Sequence, residues 1–324
     1  MGLCDGAVRS EARLAAPRLG YGRRVSPSGA IRRQLTPLEP IVRAVETAEF
    51  LDAVAKPAAK TVRNLVSRGK LKDALSGTWL GHAVHPMLTD VVIGSFTSAT
   101  LLDLLGGEEF GAASERLIAV GIAAYGPTAL TGANDWADAE PVDDAVRRAG
   151  LVHASSNALA LGLYAASLVA RRRGARARGV ILGSLGWSVL GLGGYLGGHL
   201  TLSRGIGPDQ TVFDPGSPDW IPAVDGAQLQ PGRPTRVVVG DTPVLLLKHD
   251  ELIYAIHDRC SHRGCSLSDG ELDGAEIVCA CHGSRFDLRD GSVKGGPATA
   301  AQPAFQVRDR EGVIEVRHLS PVSG

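Results

Sequence analysis

The chain has 324 residues, 34 basic and 34 acidic, with 44% hydrophobic residues, 5% aromatics and 41 glycines. That length allows two or three structural units, and the balanced charge excludes a global nucleic-acid-binding character. The averages conceal a division into a polar, Arg-rich stretch (1–75), an apolar Gly/Ala-rich stretch (84–202) and a β-type stretch (208–324).

Residues 1–37 read as a flexible, Arg-rich tail. The first 35 residues hold seven arginines and no apolar run, so no N-terminal signal peptide is visible, and Cys4 carries no assigned role. Between 38 and 75 apolar residues recur at helical spacing (Ile41, Val42, Val45, then Val62, Leu65, Val66). Pro57 predicts an interruption, hence two amphipathic helices that lie along a membrane surface or pack on the next region.

Four apolar segments follow within the 38–207 region: Pro86–Leu105, Leu117–Thr131, Leu151–Ala170 and Val180–Leu202. Most approach the ~20 residues that cross a bilayer. Asp90, His153, Asn157 and many glycines weaken the signal, and a buried soluble bundle is the competing reading. Small-residue spacings (Gly179–Gly183, Gly193–Gly197, Gly194–Gly198) suit helix contact in lipid. Trp79 and Trp136 stand where interfacial aromatics are expected, Gly126-Pro127 predicts a kink, and no internal repeat is apparent.

If all four segments cross, the starts of the first and third and the ends of the second and fourth share one face. His82, His85, His153, His199 and the Asn134-Asp135 pair are then expected to gather there, on the side from which the chain enters its C-terminal region. Intramembrane ionisable groups are functional candidates. The histidines admit a b-type haem, a quinone or a metal, against a role in tying the bundle by hydrogen bonds. Arg171, Arg172, Arg173, Arg176 and Arg178 put the turn between the last two segments in the cytoplasm. Lys70, Lys72, Arg147 and Arg148 on the opposite face pull the other way. The balance favours an extracytoplasmic C-terminal region.

Residues 208–220, rich in Pro, Gly, Ser and Asp, read as a linker. Short β-type runs then follow at 235–239, 244–248, 252–257, 276–280, 305–308 and 313–317, which predicts an all-β domain over 221–318. Within it stand Cys260-Ser-His262-Arg-Gly-Cys265 and Cys279-Ala-Cys281-His282-Gly-Ser284, with 16 residues between His262 and Cys279. Four of the five cysteines, interleaved with two histidines, suggest a metal more than a disulfide framework. Zinc is open to two such Cys/His pairs, although zinc knuckles more often use C-x-x-C.

C-x-H paired with C-x-x-H resembles the Rieske [2Fe–2S] family, and the similarity runs over about 220–318, including the Gly296–Ala298 turn. The resemblance implies that Cys260 and Cys279 bind one iron and His262 and His282 the other. Neutral imidazoles in place of thiolates ease reduction, to about −150 to +300 mV against about −400 mV for all-cysteine plant-type clusters. It further implies a loop-to-loop disulfide between Cys265 and Cys281, as in the Rieske subunit of quinol–cytochrome c oxidoreductases, which favours an oxidising compartment. Ser284 matches a serine that bonds a cluster sulfur. Phe286 stands where the quinol-oxidising type has a tyrosine, which implies a lower potential. The Gly81–Asp90 and Gly193–His199 stretches resemble an uncharacterised four-helix bacterial membrane family, which speaks to architecture alone.

The expectation is a multi-domain protein: an α-helical transmembrane four-helix bundle followed by an all-β Rieske domain. Its role would be a membrane-anchored electron carrier, an oxidoreductase component relaying single electrons between a membrane donor and a redox partner that the sequence does not identify. The alternatives are a ferredoxin-like supply to an oxygenase and a redox sensor. A stand-alone oxygenase would need a second iron site, and the 42 residues after His282 contain one histidine, His318.

Overall fold

The computed structural model describes residues 37–66, 68–249 and 251–318. The expected tail, but for its last residue, and Cys4 lie outside them. Among them, seven α-helices occupy the N-terminal region: α1 (Glu39–Glu46), α2 (Asp52–Leu65), α3 (Lys70–Ser76), α4 (Val84–Leu105), α5 (Gly111–Ala139), α6 (Asp144–Arg172) and α7 (Arg176–Leu202). Ten short strands follow between Ile221 and His318.

Pro57 does not divide the amphipathic segment. It sits inside α2, and the break falls earlier, between α1 and α2. Tertiary contacts outweigh the lost main-chain bond. The Arg148 guanidinium grips Asp52 at 2.8 and 2.9 Å and the Glu46 carbonyl at 2.9 Å, while Ala55 and Ala59 are buried. Phe50, Val54 and Leu65 stay exposed.

Helices α4, α6 and α7 are long and apolar enough to cross a membrane, and only 22–33% of their apolar stretches is buried inside the protein. Their outward face, with Leu101, Leu104, Leu159, Ile181 and Leu185, therefore suits lipid. α5 is equally long and unbroken through Gly126-Pro127, but carries Tyr125, Thr128 and Thr131 along its middle. Short turns join α4 to α5 and α6 to α7, so each pair is an antiparallel hairpin.

The two hairpins are built alike, an internal repeat that the sequence does not announce. In α4, the Phe96 ring lies where Gly121 of α5 leaves no room for a Cβ, and His85 lies likewise against Gly132. In α6, Tyr164 seats on Gly186 of α7 and His153 on Gly197. Eleven positions separate ring from ring and glycine from glycine in both hairpins. Phe96 and Tyr164 stack across the bundle at 3.9 Å, and the Tyr164 hydroxyl meets Thr100 Oγ1 at 2.8 Å. A second matched pair, Ser114 Oγ to the Ala99 carbonyl and Ser167 Oγ to the Gly179 carbonyl, closes each hairpin near its turn.

The β domain comprises β1 (Ile221–Asp225), β2 (Thr235–Val239), β3 (Thr242–His249), β4 (Leu252–His257), β5 (Glu271–Asp273), β6 (Glu276–Val278), β7 (Arg285–Asp287), β8 (Val293–Gly295), β9 (Phe305–Arg310) and β10 (Val313–His318). They form three antiparallel sheets, ordered β1-β10-β9, β2-β3-β4 and β5-β6-β7-β8. Val244, Leu245, Leu246 and Leu247 of β3 are all fully buried, because Val244 and Leu246 face a core with Ile314 and Val316, and Leu245 and Leu247 face one with Ile277 and Phe286. A strand covered on both faces reads as an unbroken apolar run. The second of these cores also contains Cys260 and Cys279.

The intervening segment is pinned to the β domain. The Gln210 amide donates to the Ser261 carbonyl at 3.0 Å, and Asp214 accepts from Thr242 Oγ1 and stands 3.3 Å from His257 Nε2.

Candidate iron–sulfur centre

Two loops of the β domain, after β4 and after β6, carry the cysteines and histidines, and they close in the same way. In the first, the Gly264 amide donates to the Cys260 carbonyl at 2.8 Å and the Cys260 amide donates to the Cys265 carbonyl at 2.8 Å. In the second, Gly283 donates to Cys279 at 3.0 Å and Cys279 to Ser284 at 2.8 Å. Both glycines have a positive φ, 78° and 77°, which is why each loop carries Gly four residues after its cysteine.

The closed turns aim amides inward. The N–H groups of His262 and Arg263 favour the anionic form of the Cys260 sulfur, and those of Cys281 and His282 that of the Cys279 sulfur. Such paired amides stabilise anionic sulfur. Cys260 and Cys279 are buried and free. The hydrogen bond they share, with burial, raises the Cys260 thiol well above its ordinary range. The same bond, aided by the loop amides and Arg68, lowers Cys279 to about 6. Burial, joined by the charges of His282, Arg263 and Lys72, holds His262 neutral, and burial likewise lowers His282. Neutral imidazoles beside a thiolate are the ionisation states a metal requires.

The His262 and His282 rings stand edge to face, 5.1 Å apart. His262 Nε2 faces Asp138 Oδ2 at 3.5 Å, a charge contact rather than a hydrogen bond. Its Nδ1 is buried and without a hydrogen-bond partner. Two buried sulfurs and an unpartnered imidazole nitrogen fit mixed thiolate–imidazole ligation of an iron–sulfur cluster. Cys265 and Cys281 form a disulfide between the loops, and both of its sulfurs lie within 4.8 Å of the Cys279 sulfur.

Ser284 is fully buried and its Oγ accepts from the Ala298 amide at 3.2 Å. That amide belongs to a third loop, whose Gly296 has φ 80° and lies so close that a Cβ would stand 2.4 Å from the Gly283 carbonyl oxygen and 2.5 Å from Ser284 Cα. Phe286, fully buried, packs in the core that holds both free cysteines.

Sequence reasoning missed what covers this end of the domain. Asp138, at the end of α5, is held by Lys72 of α3 at 2.6 Å with both side chains buried. Arg68 donates to the Ala280 carbonyl at 2.9 Å, the Gly296 amide donates to Asp73 at 3.0 Å, and Thr78 Oγ1 donates to the Gly296 carbonyl. His262 is thereby turned into the helical region. His282 instead borders a cleft of about 300 Å³ with Arg63, Arg68, Lys72, Asp138 and Cys281. The only hint in the sequence was a cluster of charges expected on the face nearest the domain.

The membrane histidines have different partners. His82 is exposed, with Nδ1 3.1 Å from the Ala83 carbonyl oxygen. His199 meets Glu46 of α1 at 2.9 Å, beside Arg204. His85 and His153 are half-buried inside the hairpins. Asn134 is buried on Ser76 at 2.9 Å. On the same face Arg147 is neutralised by Glu140 and Asp144, as Arg148 is by Asp52.

Residues 219–306 match the Rieske [2Fe–2S] domain family, and residues 81–210 match DUF2231, a family of predicted membrane proteins. Ferredoxin CarAc of Metapseudomonas resinovorans is 35% identical over 98 residues, 30% of this chain and 92% of that protein. The anthranilate 1,2-dioxygenase ferredoxin subunit of Burkholderia cepacia is 28% identical over 98 residues, 30% of this chain and 91% of that protein. Among solved structures, the ferredoxin of carbazole 1,9a-dioxygenase from Nocardioides aromaticivorans IC177 is 30% identical, covering 30% of this chain and 96% of that one, with a TM-score of 0.29. These three relatives are ferredoxins by name, and in this chain a region with helices long and apolar enough to cross a membrane precedes the shared domain. Through that C-terminal domain the chain belongs to the Rieske [2Fe–2S] family.

Proposed function

We propose that this chain is a membrane-anchored electron carrier in which Cys260 and Cys279 hold one iron of the [2Fe–2S] cluster and His262 and His282 the other. The observation that carries the assignment is the convergence of the two loops on buried sulfurs and the unpartnered His262 Nδ1. When bound, the cluster supplies one-electron exchange. The protein's own groups do the rest. Loop amides and Arg68 favour negative sulfur, the Asp138 carboxylate stands beside His262 Nε2, and the disulfide ties the two loops together over the site. Electrons enter or leave at His282, the ligand that borders the cleft.

EPR with redox titration on membranes containing the full chain tests this reading. A Rieske-type signal that titrates as a single electron and disappears in His282→Ala is expected. Membranes rich in the protein but lacking such a signal would overturn it.

The partner is the open half of the function. The ferredoxin relatives favour a second reading, delivery of electrons to an oxygenase component. Stopped-flow mixing of the reduced protein with such a component and with a cytochrome acceptor separates the two readings, since the true partner exchanges fast. We place the β domain outside the cell, on the strength of the five arginines at the α6–α7 turn and of the disulfide. Protease added to intact cells should then clip the β domain, and protection in intact cells with cleavage in inverted vesicles would reverse the orientation.

A further inference from the structure

The repeat in the membrane bundle is selective in what it keeps. Residues 85–103 of α4 correspond to 153–171 of α6 at a constant offset of 68, and only two of these 19 pairs are identical, His85/His153 and Gly94/Gly162. Residues 117–132 of α5 correspond to 182–197 of α7 at an offset of 65, with four of 16 identical: Leu117/Leu182, Gly121/Gly186, Gly126/Gly191 and Gly132/Gly197. The aromatic seat has tolerated Phe in one half and Tyr in the other. The histidine seat has not changed.

Both imidazoles are held by the same device. A Cβ on Gly132 would stand 2.6 Å from the His85 ring, and one on Gly197 2.9 Å from His153. One turn earlier on the same helix, a carbonyl meets Nδ1: Thr128 O at 3.0 Å from His85 and Gly193 O at 2.8 Å from His153. A carbonyl only accepts, so in both rings Nδ1 carries the hydrogen and Nε2 keeps its lone pair. Thr131 Oγ1 adds a second contact to His85 Nδ1 at 3.3 Å.

The free nitrogens have little else to do. His85 Nε2 has no hydrogen-bond partner among the described residues. At His153, Asn157 Nδ2 makes a long contact of 3.3 Å to Nε2 and stands 3.4 Å from Nδ1. His85 and His153 each stand eleven positions before Phe96 and Tyr164, whose rings stack at 3.9 Å, so the two histidines lie at one level of the bundle. An N–H fixed to a main-chain carbonyl, with the opposite nitrogen bare, is how proteins orient metal-bound histidine.

We propose that Nε2 of His85 and Nε2 of His153 are the paired protein ligands of a transition-metal centre, haem iron or a bare ion, inside the bundle at the end nearest the Rieske domain. Imidazole suits iron, copper and zinc, and serves haem as an axial ligand. The glycines give each ring its place, and the carbonyls fix its tautomer. His82 and His199 take no part, since each is engaged elsewhere.

The test uses the full chain purified from membranes in detergent. Total iron, copper and zinc are measured by mass spectrometry, the cluster's share of iron is taken from acid-labile sulfide, and haem is read as the pyridine haemochrome. The expected result is one metal per chain beyond the cluster. It should fall to background in His85→Ala and in His153→Ala while the Rieske EPR signal stays unchanged. A haemochrome identifies porphyrin iron, and metal without it identifies a bare ion. Should the alanine variants fail to accumulate, His85→Gln keeps a donor for the Thr128 carbonyl while removing the imidazole. Gly132→Ala displaces the ring and should lower metal binding by about 10-fold or more. A chain with no metal beyond its cluster, or an unchanged content when both histidines are replaced, overturns the proposal and leaves the Rieske assignment intact.

Discussion

The two cysteine–histidine loops follow one plan yet meet different surroundings. Cys260–Cys265 and Cys279–Ser284 share the spacing of cysteine to glycine, the returning main-chain bond and the amides that point at sulfur. His262 of the first loop is pressed against Asp138 and Lys72, whereas His282 of the second borders an open cleft. Local sequence makes the loops equivalent, and the helices that dock on them make them different. One histidine is turned into the helical region and the other faces the cleft.

The largest expected effect tests what the loops share. Cys260→Ser and Cys279→Ser should each abolish the Rieske EPR signal, because both loops are needed to build one site. The next tests what divides them. Lys72→Met leaves Asp138 buried without its cation and should cost about 3–5 kcal/mol in thermal or chemical denaturation. Lys72→Met combined with Asp138→Leu should recover most of that loss. On the side of the second loop, Arg68→Ala removes an exposed bond to the Ala280 carbonyl and should cost about 1 kcal/mol. Equal losses at Lys72 and Arg68 would show that the two sides are not energetically distinct.

Removing the disulfide should come between these, at about 3 kcal/mol for a closed loop of this length. Paired replacement, Cys265→Ser with Cys281→Ser, avoids a stray thiol, and calorimetry of the loaded protein reads the change. The smallest effect on stability is expected from Phe286→Tyr, which should raise the midpoint potential in voltammetry through a new hydroxyl in the core behind both cysteines. An unchanged or lower potential would show that the hydroxyl does not reach a cluster sulfur.

The β domain was largely readable because its chemistry is local. Cys, His and Gly at fixed intervals within two tight turns declare both the turn and the donor set. Strands β2 and β4 follow from β-branched and apolar runs of full length. The three-residue strands β5, β7 and β8 were not foreseen, since so short a span shows no period. The bundle was legible as four helices, but its repeat was hidden. What recurs there is a fit between a ring on one helix and a bare glycine on another, and such a fit survives when the residues around it change. The docking of α3 and α5 on the cluster loops was likewise hidden, because Lys72 and Asp138 are 66 positions apart and neither stands in a motif.

The pinned segment before the β domain sets how the protein can work in space. Between Leu202, the last residue of α7, and Gln210, whose amide is fastened to Ser261 within the first ligand loop, lie seven residues, 203–209. Fully drawn out they reach at most about 25 Å, and Arg263 is also tied back to the Gly205 carbonyl at 3.4 Å. A carrier on so short a leash does not commute between distant sites. It is a stationary terminal at the membrane surface, so traffic with its partners depends on their coming to it.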